Sequence, residues 1–247
     1  MAAAQNIGGR DLARTYAFHA DQPRRPYTFT YNGDTTDMEC KRCIHQISPG
    51  RQCSRRSCFT LPVCWQHLKS VYRLRVGQTT LTDPQHHRLP FRGLFACDAT
   101  AAANNEPAFD AGDKIVPYVG KRVTQAQMNA RYPGEDTAPY AVETEVAYSM
   151  PQNRYLLDGA NLRGVANLAN TCRPSNHARS GCNNNAEIKA SNVSGKFPNL
   201  VANAPIMDGD EIFVDYGADY FAPGSIHRPI STNPPNAYGR LNYKPCS

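Results

Sequence analysis

Residues 206–221 read Ile206-Met207-Asp208-Gly209-Asp210-Glu211-Ile212-Phe213-Val214-Asp215-Tyr216-Gly217-Ala218-Asp219-Tyr220-Phe221. The run opens on turn chemistry, Asp208-Gly209-Asp210, and becomes a short apolar strand, Ile212-Phe213-Val214. It ends in an aromatic group, Tyr216, Tyr220 and Phe221, broken by Gly217. A short apolar run between turn signals is the pattern of a buried strand. The acidic turn, the strand and the Asp215-Tyr216-Gly217 triplet together form a more specific signature than any strand alone.

A chain of 247 residues is long enough for one substantial core plus a small module. With 17 Gly and 19 Pro against nine Phe, the composition points to a loop-rich, mostly β protein with short helices. No run approaches the roughly 18 apolar residues of a membrane span, so no membrane contact is expected. The N-terminal segment lacks the apolar stretch of a secretory signal. Nine cysteines is an odd number, and five lie within residues 40–64 at metal-like spacing. That pattern fits a reducing, intracellular setting better than secretion. Charge is uneven: residues 1–77 hold twelve Lys/Arg against five Asp/Glu, residues 78–247 fifteen against sixteen. A basic N-terminal third suits contact with nucleic acid or another polyanion, although a solvated basic surface looks the same in sequence.

Along the chain, residues 1–26 lack periodicity and read as a flexible arm, followed by an aromatic strand over 27–31. Cys43, Cys53, Cys64 and His67 then supply three thiolates and an imidazole, the set a tetrahedral structural zinc prefers. The two-residue gap between Cys64 and His67 lets one turn of chain present both to one ion. Cys40 and Cys58 are alternates. Trp65, Leu68 and Tyr72 recur at helical spacing behind this pair. So small and polar a segment needs a metal to fold. Further on, residues 92–96 and 112–120 read as β segments, and Thr124 with Gln127 forms a capping box for a short helix. Strand-like pieces follow over 139–143, 146–149 and 154–157.

Taken in order, these pieces resemble the SET-domain protein lysine methyltransferases over about residues 90–221. Gly93-Leu94-Phe95-Ala96 is similar to the family's first motif, a Gly-x-Gly turn that brings backbone onto S-adenosylmethionine, with Phe91 in place of the first glycine. Tyr118-Val119-Gly120 is similar to its Tyr-x-Gly strand. Asp158 matches the acidic residue ahead of its Arg-Phe-Ile-Asn-His segment, which reads Asn167-Leu168-Ala169-Asn170-Thr171 here. Asn170 keeps the asparagine, while Asn167 replaces the arginine and Thr171 the histidine. The family's Pro-Asn appears later as Asn183-Asn184-Asn185-Ala186, after an insertion between Cys172 and Cys182. Residues 209–217 are close to the closing motif. The Cys/His segment resembles a small zinc module of protist, algal and large-virus proteins, including Gly50, Arg55 and Arg56.

The resemblance implies a SET-type β-fold of small curved sheets with a threaded, pseudoknot-like C-terminal segment, preceded by the zinc module. It divides the chain into an arm (1–26), the zinc module (27–77), a SET-like domain (78–221) and a tail closing the site (222–247). It implies an S-adenosylmethionine-dependent lysine N-methyltransferase with Tyr216 as the catalytic residue. The cofactor would lie against Arg92, Gly93, Leu94, Tyr118, Asn170, Thr171, Tyr216 and Phe221, and Tyr140 and Val214 would line the lysine channel. The implied partner is a lysine-bearing protein such as a histone, which favours the nucleus over the cytoplasm. The departures at positions 91, 167 and 171 keep open a catalytically silent SET fold that binds chromatin or nucleic acid.

Overall fold

Small antiparallel sheets and short helices make up the described residues. The computed structural model describes residues 25–31, 34–57, 61–81, 92–131, 141–144, 155–159, 164–172, 182–189 and 197–216, with backbone alone for 25–41, 56–57, 141, 143–144 and 155. Strands β1 (Arg25–Tyr31), β2 (Asp34–Arg42) and β5 (Arg56–Ser57) form one sheet, and β3 (Gln46–Ser48) and β4 (Arg51–Gln52) a separate hairpin. β6 (Leu74–Gln78), β7 (Arg92–Ala96) and β14 (Glu211–Ile212) share a sheet in the order β14-β7-β6. Two more three-stranded sheets have the orders β12-β13-β8 and β10-β11-β9. They are built from β8 (Lys114–Pro117), β12 (Ala186–Lys189) and β13 (Asn199–Ala202), and from β9 (Lys121–Val123), β10 (Ala141–Thr144) and β11 (Tyr155–Asp158). Among the described residues no helix is long and apolar enough to cross a membrane.

Local chemistry explains the short helices. Thr124 Oγ1 accepts from Gln127 N at 3.2 Å while Gln127 Oε1 accepts from Thr124 N at 2.9 Å, the reciprocal capping box that starts helix Gln125–Arg131. Asp98 caps Ala99–Asn104 through the backbone N–H groups of Thr100 and Ala101. Leu68–Tyr72 buries Leu68 and Tyr72 and ends on Arg73, whose left-handed φ of 55° turns the chain directly into β6. The Arg73 guanidinium lies over the Phe109 ring at 4.5 Å.

β6, which includes residue 77, belongs to the sheet that also holds β7 and β14. β6 pairs with β7 from Leu74↔Ala96 to Gln78↔Arg92, because Leu74 and Val76 alternate inward and Gly77 faces Gly93. Cys43, Cys53, Cys64 and Leu68 join Leu94, Ile115, Leu200 and Ile212 in one continuous buried cluster. The Tyr-x-Gly segment also differs from expectation: Tyr118, Val119 and Gly120 are buried just beyond β8, outside the strand. Gly120 is confined there by backbone, since a Cβ would lie 2.8 Å from the Asp158 carbonyl carbon. Helix Gln125–Arg131 closes over the same place. Arg131 Nη1 contacts the fully buried Asp158 carboxylate at 2.6 Å, so the acidic residue is held as an ion pair.

The threaded segment is the topological centre. The turn at Asp208-Gly209, with Gly209 at φ 86°, delivers residues 210–214 alongside β7. Ala96 N donates to Asp210 O at 2.9 Å, and Glu211 and Ile212 pair with Phe95 and Leu94. Its other edge meets the Asn170 loop and the first residue of β12 in parallel bridges, Asn170 with Phe213 and Ala186 with Val214. The stretch passes between parts of the chain distant in sequence, as the resemblance implies.

Candidate functional site

The Cys/His cluster is assembled by a tight hairpin and one turn of helix. Pro49-Gly50 reverses the chain between β3 and β4, with Gly50 at φ 73°. Cys43 N then donates to Arg55 O and Cys53 N to His45 O, each at 2.8 Å. Ile44 N donates to Pro62 O at 3.0 Å and draws residues 61–64 against them. Cys64 opens the 3-10 turn Trp65–His67. The ligand atoms of Cys43, Cys53, Cys64 and His67 all lie within 4.8 Å of one another. Both Cys43 Sγ and Cys64 Sγ are 3.4 Å from His67 Nδ1. Zinc with tetrahedral bonds of about 2.3 Å to sulfur and 2.0 Å to nitrogen sets S···N edges at about 3.5 Å. The donor set and its spacing therefore fit a four-coordinate metal with no open position.

The electrostatics agree with this reading. A hydrogen bond from the Cys64 thiol pulls Cys43 down to about 4 against the opposing effect of burial. The same bond, with burial, pushes Cys64 well up. Two buried sulfurs share a proton here, and a bound cation displaces such protons. Arg55 N donates to Cys53 Sγ at 3.4 Å, which supports the third sulfur. His45 stacks on His67 with centroids 3.9 Å apart, and burial followed by the His67 charge depresses its basicity. The side chains of the alternates Cys40 and Cys58 lie outside the described residues.

A second constellation surrounds the threaded strand. Tyr216 OH donates to Ala169 O at 2.7 Å. The neighbouring Asn170 Nδ2 donates to Arg92 O at 2.9 Å and to Glu211 Oε1 at 3.0 Å. Val214 N donates to Asn170 O at 2.8 Å. Arg92, Asn170 and Tyr216, named from separate motifs, thus sit within one network. Gly93 is also required by packing within the chain. A Cβ there would stand 2.1 Å from Glu211 Oε1, so the buried carboxylate occupies the space of a side chain. Leu94 is fully buried in the core. Tyr118 is buried and donates its backbone N–H to Pro198 O at 2.9 Å. Val214 is buried in the core two residues before the half-buried Tyr216. Thr171 is half-buried, and Phe221 and Tyr140 lie outside the described residues.

Three features escape the motif reading. Glu211 accepts from Thr79 Oγ1 (2.7 Å), Thr80 N and Thr80 Oγ1 (both 2.6 Å) in addition to Asn170. A Thr-Thr pair at the end of β6 was the available sign. Asn185 clasps the strand by donating Nδ2 to Glu211 O and accepting from Phe213 N. Cys172 and Cys182 form a disulfide closing the insertion, and Cys97 is also disulfide-bonded. Metal-like spacing in residues 40–67 drew the cysteines toward ligation, yet these lie outside that cluster. Asn167, in the arginine's place, accepts from Gly164 N, while its buried Nδ2 finds no partner among the described residues.

The described residues thus form small antiparallel sheets with few short helices and a threaded strand, with a Cys/His cluster toward the N-terminus. No protein-family model matches the chain, and no curated protein matches it in sequence. Among solved structures it is similar to the methyltransferase domain of human PR domain-containing protein 2. The TM-score is 0.39 and the identity 18%, over 59% of this chain and 78% of that one. It is also similar to CpSET8 from Cryptosporidium, with a TM-score of 0.38 and 16% identity, over 61% of this chain and 60% of that one. At such similarity only the side-chain contacts of this chain bear on its chemistry.

The disulfide, spanning a sequence separation of ten, should contribute about 2–3 kcal/mol by restricting the unfolded chain. Alkylation followed by mass spectrometry should label Cys172 and Cys182 only after reduction, with a matching loss of resistance to urea. Labelling at both positions without reductant would exclude the bond.

Proposed function

We propose that this chain is an S-adenosylmethionine-dependent protein-lysine N-methyltransferase whose fold is supported by a structural zinc. The observation that carries the reading is the meeting of Arg92, Asn170 and Tyr216 around one threaded strand. When bound, S-adenosylmethionine supplies an electrophilic methyl on sulfur for in-line displacement by an amine. The donor set fits its amino-acid end: with both Asn170 Nδ2 hydrogens engaged, Oδ1 remains as an acceptor for an ammonium. Tyr216 has its proton engaged by Ala169 O, which leaves the phenolic oxygen to accept from and orient the lysine amine. An apolar channel favours the neutral amine by withholding water from the charged form. Tyr140 and Val214 are our choices for its walls, and Leu94, Tyr118, Thr171 and Phe221 for further cofactor contacts.

The substrate we favour is a histone or another lysine-bearing protein, in the nucleus. The Cys172–Cys182 disulfide is the feature that such a setting must accommodate, because intracellular thiol pools reduce most such bonds. The unpartnered Asn167 amide, with Phe91 and Thr171, favours a second reading in which the same fold binds without transferring methyl. Residues 40–82 carry eight Lys/Arg and no Asp/Glu, with Arg42, Arg51, Arg55 and Lys69 exposed. An acid-free stretch of this kind suits contact with nucleic acid phosphates.

Three outcomes are expected. Protein purified without added metal should contain about one zinc per chain, lost in Cys53→Ser together with the folded state of the module. A folded, metal-free wild type would contradict this. Tyr216→Phe should retain cofactor binding while transfer to histone falls about tenfold to a hundredfold, and Asn170→Ala should weaken cofactor affinity about tenfold or more. Cofactor binding without transfer to any protein of a lysate would establish the silent reading. Binding to a DNA duplex should weaken steeply with salt, and less steeply in an Arg51→Ala, Arg55→Ala double variant. Salt-independent or absent binding would remove the nucleic-acid contact.

A further inference from the structure

We propose that Glu211 is a positioning residue that locks the Asn170 amide in one orientation, so that the site offers an acceptor and selects a ligand bearing an ammonium there. The inference rests on the methyltransferase reading above and deepens it, because it assigns the source of selectivity for the amino group of S-adenosylmethionine.

The hydrogen bonds determine the orientation without choice. Asn170 Nδ2 faces Arg92 O at 2.9 Å and Glu211 Oε1 at 3.0 Å, and both partners only accept. Turning the amide over would set Oδ1 against a carbonyl and a carboxylate, two repulsive contacts in place of two hydrogen bonds. Oδ1 accepts from no donor among the described residues, so it is the atom left for a ligand.

Glu211 is itself immobilised from every side. It is 5% exposed. Oε1 takes the Thr79 hydroxyl at 2.7 Å, and Oε2 takes Thr80 N and Thr80 Oγ1 at 2.6 Å each. Thr79 Oγ1 already accepts from Leu81 N at 3.2 Å, so its single proton is committed to the carboxylate. Gly93 leaves no slack, because the carboxylate fills the space where its Cβ would be. A neutral amide at position 211 cannot reproduce this arrangement. Its NH2 would confront either the Asn170 amide and the Thr79 hydroxyl, or the Thr80 N–H. Placed toward Asn170, it would set two NH2 groups against each other and leave the Asn170 amide held by Arg92 O alone.

The test is calorimetric binding of S-adenosylmethionine, and of its analogue with hydrogen in place of the α-amino group, to the full chain. In wild type, loss of the amino group should weaken binding about tenfold to a hundredfold, the worth of a hydrogen bond to a charged group. In Glu211→Gln the two ligands should bind within about threefold of each other. A merely structural carboxylate would weaken both ligands equally and leave their ratio unchanged, which would overturn the proposal. Wild type that binds neither ligand would instead defeat the methyltransferase reading on which it rests. A measurement without ligand covers the case in which Glu211→Gln fails to fold. In 15N-asparagine-labelled wild type, both Asn170 side-chain amide protons should exchange slowly with water, assigned by their absence in Asn170→Ser. Rapid exchange, as at an exposed amide, would also overturn the lock.

Discussion

The strand at residues 210–214 has hydrogen-bonding partners on both edges, and the rest of the fold is arranged to supply them. β7 pairs with one edge in antiparallel register, while Asn170 and residues 185–186 close the other. Asn185 replaces a missing strand with a side chain, its amide taking Phe213 N and Glu211 O as backbone would. A buried strand without such partners would leave backbone groups unsatisfied at a cost of about 1–3 kcal/mol each. An irregular loop at Asn170 and the start of β12 are therefore held to fixed positions. Asn170 and Tyr216 derive their placement from that requirement: one lies in a clasping loop, the other directly beyond the clasped strand.

The Cys/His module faces a different constraint. The β3–β4 hairpin exposes nearly all of its residues, and Ile47 in β3 is 48% exposed, so it contributes little apolar burial of its own. What it buries is sulfur: Cys43, Cys53 and Cys64 enter the main core beside Leu61, Val63 and Leu68. A cation bound there would do the cross-linking that side-chain packing does elsewhere. Because the same cluster continues through Tyr72 and Leu74 into β6, order in the module is transmitted to the sheet that carries Gly93.

Features set by short spacing were legible in the sequence. Cys64 and His67 are three residues apart, the Thr124–Gln127 box spans one turn, and the 208–214 turn and strand are local. Each could be read from neighbours alone. Relations across the chain were not. The Glu211 bonds to Thr79 and Thr80 span 132 and 131 positions, and no periodicity announces them. Gly93 shows the consequence: its place in a motif was visible, but the carboxylate that requires it lies 118 residues away in sequence. The pairing of β6 with β7 was likewise invisible, because the cysteine spacing ends before β6. The Cys172–Cys182 bond was hidden by the opposite bias, since a conspicuous cluster elsewhere gave cysteine another explanation.

Long separation also dictates when the site can exist. Glu211 needs Thr79 and Thr80 from the end of β6, Asn170 from one loop, and Gly93 to leave room beside β7. Threading of residues 210–214 requires the loops near 170 and 185 to stand on their far side. Contacts of such high sequence separation form after their loop-closure entropy has been offset by others, so they belong late in folding. The Cys172–Cys182 bond shortens that path by tying the chain just after Asn170 to the chain just before Asn185. The Asn170 acceptor is thus absent from any partly assembled chain. Its geometry exists only once the strand that ends in Tyr216 has been enclosed.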